Sequence, residues 1–269
     1  MKKRQEKQLL WVSTGLVALV TLVPIWNNRA DVAIALGITL SFLLITLAIK
    51  RSVRVIKKYQ DNIFDQFQAY HRLHKILDPV KPLPDMRRYA GSPDFLCWVN
   101  MLIEEQSPEV IVEASSGIST LTCGYSLKKL GKGQVISLEH DGHFREISQG
   151  NVESYGLADI AHVFHAPLVK HNINGESWLW YDTSATQLPE VIDMIVIDGP
   201  PRRTQAQARY PALPLLIERL KVGGVLILDD AARKSEKSVV KRWEQEFKNI
   251  EVSHLPSERG TTVITKTSI

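Results

Sequence analysis

The chain has 269 residues, a length that suits one sizeable α/β domain with an appendage and excludes two full-sized enzyme domains. Its formal net charge is +4, but much of the basic excess flanks two apolar segments, so the charge is poor evidence for nucleic-acid binding and nucleic acid is not an expected partner. Two cysteines are too few for a disulfide framework, and no cysteine–histidine spacing predicts a zinc site.

Two apolar segments near the N-terminus predict a transmembrane helical hairpin within residues 1–49. Residues 9–26 and 32–49 contain no charged side chain, and each has about 18 residues, near the lower limit for crossing a bilayer. No small-residue cleavage site follows the first segment, so a cleaved signal peptide is not expected. The small residues Ala33, Gly37 and Ser41 either pack against the first helix or are simply tolerated in lipid.

Basic residues on both outer flanks of this hairpin predict its orientation. They are Lys2, Lys3, Arg4 and Lys7 before the first segment, and Lys50, Arg51, Arg54, Lys57 and Lys58 after the second. Because basic flanks stay in the cytoplasm, both termini are expected there and the short link outside. The chain is thus predicted to be a multi-pass protein of a bacterial inner membrane, with the lipid bilayer as a partner.

Residues 50–84 are predicted to form a juxtamembrane helix, to about residue 77, and a proline-rich hinge. Apolar residues follow a 3–4 spacing at Val53, Ile56, Ile63, Phe67, Tyr70 and Leu77. That spacing fits a short coiled coil, hence a homo-oligomer through residues 53–77, or an amphipathic helix that lies on its own domain, which we favour. Three prolines between residues 78 and 85 end the helix and mark a boundary before the domain at 85–269.

Beyond this boundary, apolar runs alternate with segments of helical spacing. Strands are predicted at about 110–114, 135–139, 160–165, 192–198 and 224–229, with a terminal hairpin at 250–254 and 261–266. Near-continuous apolar runs are typical of strands in a parallel sheet that is covered on both faces. The fold class is therefore predicted to be α/β, a Rossmann-like doubly wound and mostly parallel sheet with a terminal antiparallel hairpin.

The segment from Val110 to Thr120, together with Glu139, predicts a nucleotide-binding turn. An apolar strand ends in Glu113, a turn of small residues follows, and the next strand ends in another acid. Such a turn directs backbone N–H groups and a helix N-terminus at a ligand, and the second acid lies where a ribose diol binds. The dinucleotide pattern Gly-x-Gly-x-x-Gly is absent, which argues against a dehydrogenase.

These motifs, with Asp198-Gly-Pro-Pro and Gly223-Gly-Val-Leu-Ile-Leu-Asp-Asp230 in the same order, resemble class I S-adenosylmethionine-dependent methyltransferases over residues 85–266. The resemblance is strongest to a bacterial subgroup with the segment that begins at Arg209. It implies S-adenosylmethionine as cofactor and the cofactor-binding residues Glu113, Ser115, Gly117, Ser119, Glu139 and His140. Ser115 replaces a usual glycine, and Ala166-Pro167 replaces the usual acid after the third strand.

The acids that close the fourth and fifth strands are the candidate catalytic and metal-binding residues. Asp198, Asp229 and Asp230 resemble the magnesium ligands of catechol O-methyltransferase-like enzymes, so Mg²⁺ bound by all three is one hypothesis. Alternatively Asp229 or Asp230 caps the next helix and Asp198 acts as a base. The expected activity is O-methylation of a small or lipid-linked acceptor; the competing hypothesis is a non-catalytic membrane scaffold.

Two neighbouring segments bear on the acceptor. Arg202 and Arg203 follow the Asp198 loop, where they either bind an anionic acceptor or are solvated. The aromatic run from Trp178 to Tyr181 either forms an acceptor wall or belongs to the core.

Overall fold

The computed structural model describes residues 30–86 and 90–268. The first predicted membrane segment, 9–26, lies outside these residues. The second predicted segment and the predicted juxtamembrane helix form one continuous helix, α1 (Ala30–Leu77). Within the described part of the chain, α1 is the one helix long and apolar enough to cross a membrane, with a mean hydropathy of 1.8 over its most apolar stretch.

The chain divides into two compact units between Ile63 and Phe64, whereas the sequence suggested the proline hinge. The division lies earlier because the last turns of α1 pack into the second unit. Leu73 and Leu77 are fully buried there, and the Cys97 thiol lies 3.4 Å from the carbonyl oxygen of Ala69. These turns therefore behave as an amphipathic helix on their own domain. Oligomerisation through residues 53–77 stays a prediction.

The second unit contains a seven-stranded sheet, a separate two-stranded sheet and five more helices among the described residues. The helices are α2 (Pro93–Gln106), α3 (Ile118–Leu130), α4 (Gly142–Ser154), α5 (Ala212–Leu216) and α6 (Lys234–Glu246). The strands of the large sheet are β1 (Val110–Ala114), β2 (Gln134–Glu139), β3 (Ala161–His165), β6 (Ile192–Ile197), β7 (Leu220–Leu228), β8 (Ile250–Leu255) and β9 (Thr261–Lys266). The small sheet pairs β4 (Leu168–Ile173) with β5 (Glu176–Tyr181).

The large sheet has the strand order β3-β2-β1-β6-β7-β9-β8, which confirms the predicted fold class. The first five strands are parallel, and in the terminal hairpin β9 is antiparallel to β7 and β8 is antiparallel to β9. Strand order reverses beside β1, and in open α/β sheets ligands bind at such a reversal, outside the carboxyl ends of the strands. The loops after β1, β2, β6 and β7 therefore meet at one edge.

Two details of the sheet differ from the sequence-based expectation. Strand β7 begins at Leu220 rather than near residue 224, with a change of register against β6 between Ile192 and Met194. The hairpin of β4 and β5 was not predicted at all. Its turn is Asn174-Gly175, where both residues have positive φ (52° and 81°), as a tight hairpin turn requires.

Candidate functional site

The loop after β1 has the backbone geometry of a ligand-binding turn. Ser115 has φ 121° and Gly117 has φ 136°, conformations that favour glycine, so Ser115 holds a strained backbone. The Ser115 N–H donates to the Leu138 carbonyl at 3.0 Å, which ties the loop to β2. The Gly117 N–H donates to the Thr120 hydroxyl at 3.1 Å, in the first turn of α3. The loop thus directs the start of α3 at the sheet edge, as predicted.

Glu113 lies beneath this loop and is completely buried. Its Oε2 accepts hydrogen bonds from the hydroxyls of Thr120, at 2.6 Å, and Ser137. Burial raises the pKa of Glu113 to about 7, although these hydroxyl donors oppose the rise. Glu113 does not line the pocket described below, so the geometry gives it a supporting position under the loop and no direct access to a ligand.

Glu139 ends β2 and is held by two hydrogen-bond donors and by a close contact with His140. Its carboxylate lies 2.9 Å from the Ser116 hydroxyl, 3.0 Å from the Asp141 N–H and 2.9 Å from His140 Nδ1. Burial alone would raise its pKa, but His140, the Asp141 amide and Ser116 outweigh burial and hold the pKa below its ordinary value. Glu139 is therefore an ionised, preoriented acceptor, as a residue that binds a ribose diol must be.

These loops enclose one pocket with a volume of about 530 Å³. Among the predicted site residues, those that line it are Ser115, Gly117, Ser119, Glu139, His140, Asp198 and Asp230. Glu113 and Asp229 are fully buried behind its wall. The half nearest α4 is also lined by the half-exposed side chains of Phe144 and Ile147. The volume is in the range of small-molecule and cofactor sites.

The three acids at the ends of β6 and β7 are brought together, as predicted. Carboxylate oxygens of Asp198, Asp229 and Asp230 lie within 4.8 Å of one another. The buried Arg209 lies among them. Its Nη2 is 3.0 Å from Asp198 Oδ1 and 2.9 Å from Asp230 Oδ2, and its Nη1 donates to the Asp229 carbonyl oxygen at 2.7 Å. Arg233 adds a second contact to Asp230 Oδ2, at 2.6 Å.

Burial dominates the proton affinity of this cluster. It raises the pKa of Asp198, partly against the positive charge of Arg209, and it raises the pKa of Asp229 to about 7, helped by the neighbouring carboxylates. The side chain of Asp198 keeps 10% exposure and faces the pocket. Asp198 is therefore more accessible to a bound molecule than Asp230, whose side chain is 3% exposed, and its raised pKa suits a general base.

The buried Arg209 disfavours a divalent cation in this cluster. Mg²⁺ binds carboxylate oxygens at about 2.1 Å in near-octahedral geometry, and the positive charge of Arg209 competes with the ion for them. Asp198 Oδ1 and Asp230 Oδ2 accept hydrogen bonds from the guanidinium, whereas Asp230 Oδ1 and Asp229 Oδ2 have no partner among the described residues, so a magnesium site stays a prediction. The alternative that Asp229 or Asp230 caps the following helix is wrong. Helix α6 begins after Arg233, and no side chain caps it.

Tyr181, Arg233 and Arg259 line the pocket with polar groups to which the sequence assigned no definite role. Tyr181 is fully buried at the end of β5, and its hydroxyl has no hydrogen-bond partner among the described residues. The aromatic run that contains it is core, but Tyr181 also reaches the site. Arg233 and Arg259 also line the pocket, from the loop after β7 and from the turn between β8 and β9. Their sequence neighbours carry no motif that marks them.

Sequence and structure comparisons agree with this geometry. Residues 114–231, from the end of β1 to the loop after β7, match the sequence profile of a family described as "Methyltransferase domain". Residues 114–231 are thus similar in sequence to a methyltransferase domain. The match includes the glycine loop, Glu139, Asp198 and the Asp229-Asp230 pair in one continuous stretch.

Solved structures share the fold of this chain at low sequence identity. An S-adenosylhomocysteine-bound methyltransferase from Podospora anserina has a TM-score of 0.54 and 16% identity, over 74% of this chain and 88% of its own. The O-methyltransferase from Bacillus cereus, also solved with S-adenosylhomocysteine, has a TM-score of 0.51 and 16% identity, over 74% and 91%. These likenesses show the fold, and both of the neighbours bind S-adenosylhomocysteine. No curated protein matches the sequence.

Proposed function

We propose that the chain is an S-adenosylmethionine-dependent O-methyltransferase attached to the cytoplasmic face of a membrane. The observation that carries this proposal is the pairing, in one pocket, of a preoriented ionised Glu139 with the buried carboxylate of Asp198. The first suits the ribose of the methyl donor, and the second suits the hydroxyl of an acceptor. The two lie on the loops after β2 and β6, on either side of the strained loop after β1.

The cofactor binds in this proposal along the loops after β1 and β2. The N–H groups of Ser115 and Gly117 donate within the protein, so those of Ser116, Ile118 and Ser119 face the methionine end. Glu139 accepts from both ribose hydroxyls. The exposed faces of Phe144 and Ile147 give the adenine ring an apolar surface, in place of the acid that the sequence lacks after β3. His140, which lies against Glu139, completes the rim.

Methyl transfer then needs only one proton acceptor from the protein. Asp198 takes the proton of the acceptor hydroxyl as its oxygen attacks the methyl carbon. The new O–C bond forms while the C–S bond breaks, and the electron pair of that bond neutralises the sulfonium, which leaves S-adenosylhomocysteine. Arg209 keeps the Asp198 carboxylate oriented and compensates the negative charge of Asp198 and Asp230. The proposal therefore assigns no step to a metal ion.

Equilibrium binding tests the cofactor assignment. The full chain in detergent should bind S-adenosylhomocysteine, and Glu139→Gln should weaken binding about tenfold or more, because hydrogen bonds to a charged acceptor are lost. The matched control is Glu153→Gln, which changes an exposed acid of α4, outside the pocket, that accepts a hydrogen bond from Gln149. A folded wild-type protein that fails to bind at about 1 mM would contradict the proposal and favour a non-catalytic scaffold.

The membrane attachment rests on the apolar first half of α1 and the basic residues that follow it. Impermeant-maleimide labelling of intact cells tests it. Cysteine introduced at Asn28, in the predicted outer link, should react, whereas cysteine at the exposed Lys132 should react only after the cells are permeabilised. Release of the full chain by alkaline carbonate, or labelling of both sites in intact cells, would contradict the proposed topology.

A further inference from the structure

Arginines line the pocket on the side of β6 and β7. The five come from the loops after β6 and β7 and from the turn between β8 and β9: Arg202, Arg203, Arg209, Arg233 and Arg259. Five acids also line the pocket, but Glu139 and Asp141 lie at the end of β2, across β1 from these loops, which leaves Asp85, Asp198 and Asp230 against the five arginines. A cationic excess in a partly enclosed pocket attracts anions, because field lines are focused by the low-dielectric walls.

Two of these arginines bind the carboxylates of the acid cluster, so the remaining positive charge of the pocket lies on other arginines, among them Arg259 and Arg202. Arg209 and Arg233 bind the carboxylates of Asp198 and Asp230 at 2.6 to 3.0 Å. Arg259, by contrast, donates to a neutral group, the Ala90 carbonyl oxygen at 3.2 Å. Arg202 is exposed at the pocket rim. The positive charge of Arg259 also opposes the rise in the pKa of Asp198, so this side chain acts on the reacting end of the pocket.

The turn that carries Arg259 is fixed on the pocket wall. The Arg259 carbonyl accepts from the Ala232 N–H at 2.8 Å, and the Gly260 carbonyl accepts from the Ala231 N–H at 2.8 Å. Gly260 has φ 76°, and a Cβ at this position would lie 2.6 Å from the Ala232 nitrogen. Only glycine allows this approach, so the turn is built to hold Arg259 beside the loop after β7.

We propose that the methyl acceptor is an anion, and that its carboxylate or phosphate group binds between Arg259 and Arg202 while its hydroxyl faces Asp198. This rests on the proposed methyl transfer. Guanidinium groups bind both anions through paired hydrogen bonds. The buried Tyr181 hydroxyl, which lacks a partner in the described structure, adds a donor or acceptor in the same pocket. A soluble metabolite and a lipid headgroup can both carry a carboxylate or phosphate group, so either can supply this anion.

Matched pairs of small hydroxylated probes test the proposal. Binding to the full chain, saturated with S-adenosylhomocysteine, is measured for 3,4-dihydroxybenzoate against 3,4-dihydroxybenzamide, and for glycerol 3-phosphate against glycerol. At least one anion should bind about tenfold or more tightly than its neutral counterpart, and Arg259→Gln and Arg202→Gln should each remove most of that difference. Arg219→Gln is the control, because Arg219 is exposed and also donates to backbone carbonyls, but lies outside the pocket.

Nanodiscs distinguish the two sources of the anion. With the chain in phosphatidylcholine discs, addition of phosphatidylglycerol should displace the soluble anion if a lipid headgroup is the acceptor, and should leave its affinity unchanged if the acceptor is soluble. Equal binding of both members of each pair, no anion binding at about 10 mM, or a preference that survives in Arg259→Gln would overturn the inference. Retained binding of S-adenosylhomocysteine in those cases would leave the proposed cofactor site intact.

Discussion

Replacement of Arg209 by methionine changes the charge balance of the acid cluster while it conserves an unbranched side chain. Arg209 is 3% exposed and contacts Asp198 and Asp230 through one nitrogen, Nη2. Removal of its charge leaves three carboxylates within 4.8 Å of one another, with Arg233 as the remaining cation in contact with them. We expect two effects: a loss of stability, and the appearance of a metal-binding site that the wild type lacks.

The size of the first effect follows from the burial of the pair. Removal of one partner from a buried ion pair costs about 3–5 kcal/mol, because the remaining charge is left uncompensated. For a unit of the size of residues 64–269, that corresponds to a fall in melting temperature of about 10 °C. The double variant Arg209→Met with Asp230→Asn removes one repelling charge and should recover part of this loss.

Electron paramagnetic resonance of Mn²⁺ measures the second effect on the full chain in detergent. The wild type should bind Mn²⁺ no more tightly than about 1 mM, whereas Arg209→Met should bind one ion at least about tenfold more tightly, since the carboxylate oxygens are then free of the guanidinium. The double variant should lose that gain. If the wild type binds one Mn²⁺ at micromolar concentration and Asp198→Asn abolishes it, Arg209 does not exclude the ion and the argument against a metal is wrong.

Three further predictions concern the strained loop, the unpaired hydroxyl and the buried glutamate. Ser115→Gly should raise the free energy of unfolding by about 1 kcal/mol, because relief of the φ 121° strain exceeds the added freedom of the unfolded chain; a fall in urea midpoint would contradict this. Tyr181→Phe should leave thermal stability unchanged or higher, since the Tyr181 hydroxyl has no partner among the described residues. The same change should weaken ligand binding or turnover about tenfold, because the hydroxyl no longer bonds the ligand. An unchanged ligand affinity and turnover would exclude the hydroxyl from the site. The pKa of Glu113 is raised to about 7, so between about pH 4.5 and 7 the native state binds more protons than the unfolded state, and the free energy of unfolding falls as pH rises. Between about pH 5 and 8 the wild type should lose about 3 kcal/mol more of this free energy than Glu113→Gln. Parallel plots of the free energy of unfolding against pH for the two proteins would refute the shift.

Features that depend on local sequence were predicted well. Each core strand is an apolar run that ends in an acid or a small residue, so β1, β2, β6 and the end of β7 could be predicted without knowledge of tertiary contacts. The convergence of Asp198, Asp229 and Asp230 followed, because carboxyl ends of parallel strands share one edge. The hairpin of β4 and β5 was missed although Asn174-Gly175 is a strong local signal, since the aromatic run beside it drew a different interpretation.

Other features depend on which face a side chain occupies or which loop it meets. Glu113 was expected to bind the cofactor, but strand residues alternate between faces, and its side chain points to Thr120 and Ser137 beneath the loop. The role of Arg209 could not be predicted, because a buried arginine is explained only by the acids that surround it, 11 or more residues away in the sequence. Arg259 lies in a turn that sequence alone describes only as a hairpin connection.

The position of β9 between β7 and β8 has a consequence for biosynthesis. β9 pairs with both β7 and β8, yet it follows them in the sequence, as Arg259 follows every other described residue of the pocket. A chain that emerges from the ribosome N-terminus first therefore displays the loop after β1 and Glu139, the proposed donor side of the pocket, well before Arg259 is in place. The proposed donor side can fold early, and the proposed acceptor side is completed only with the last strand.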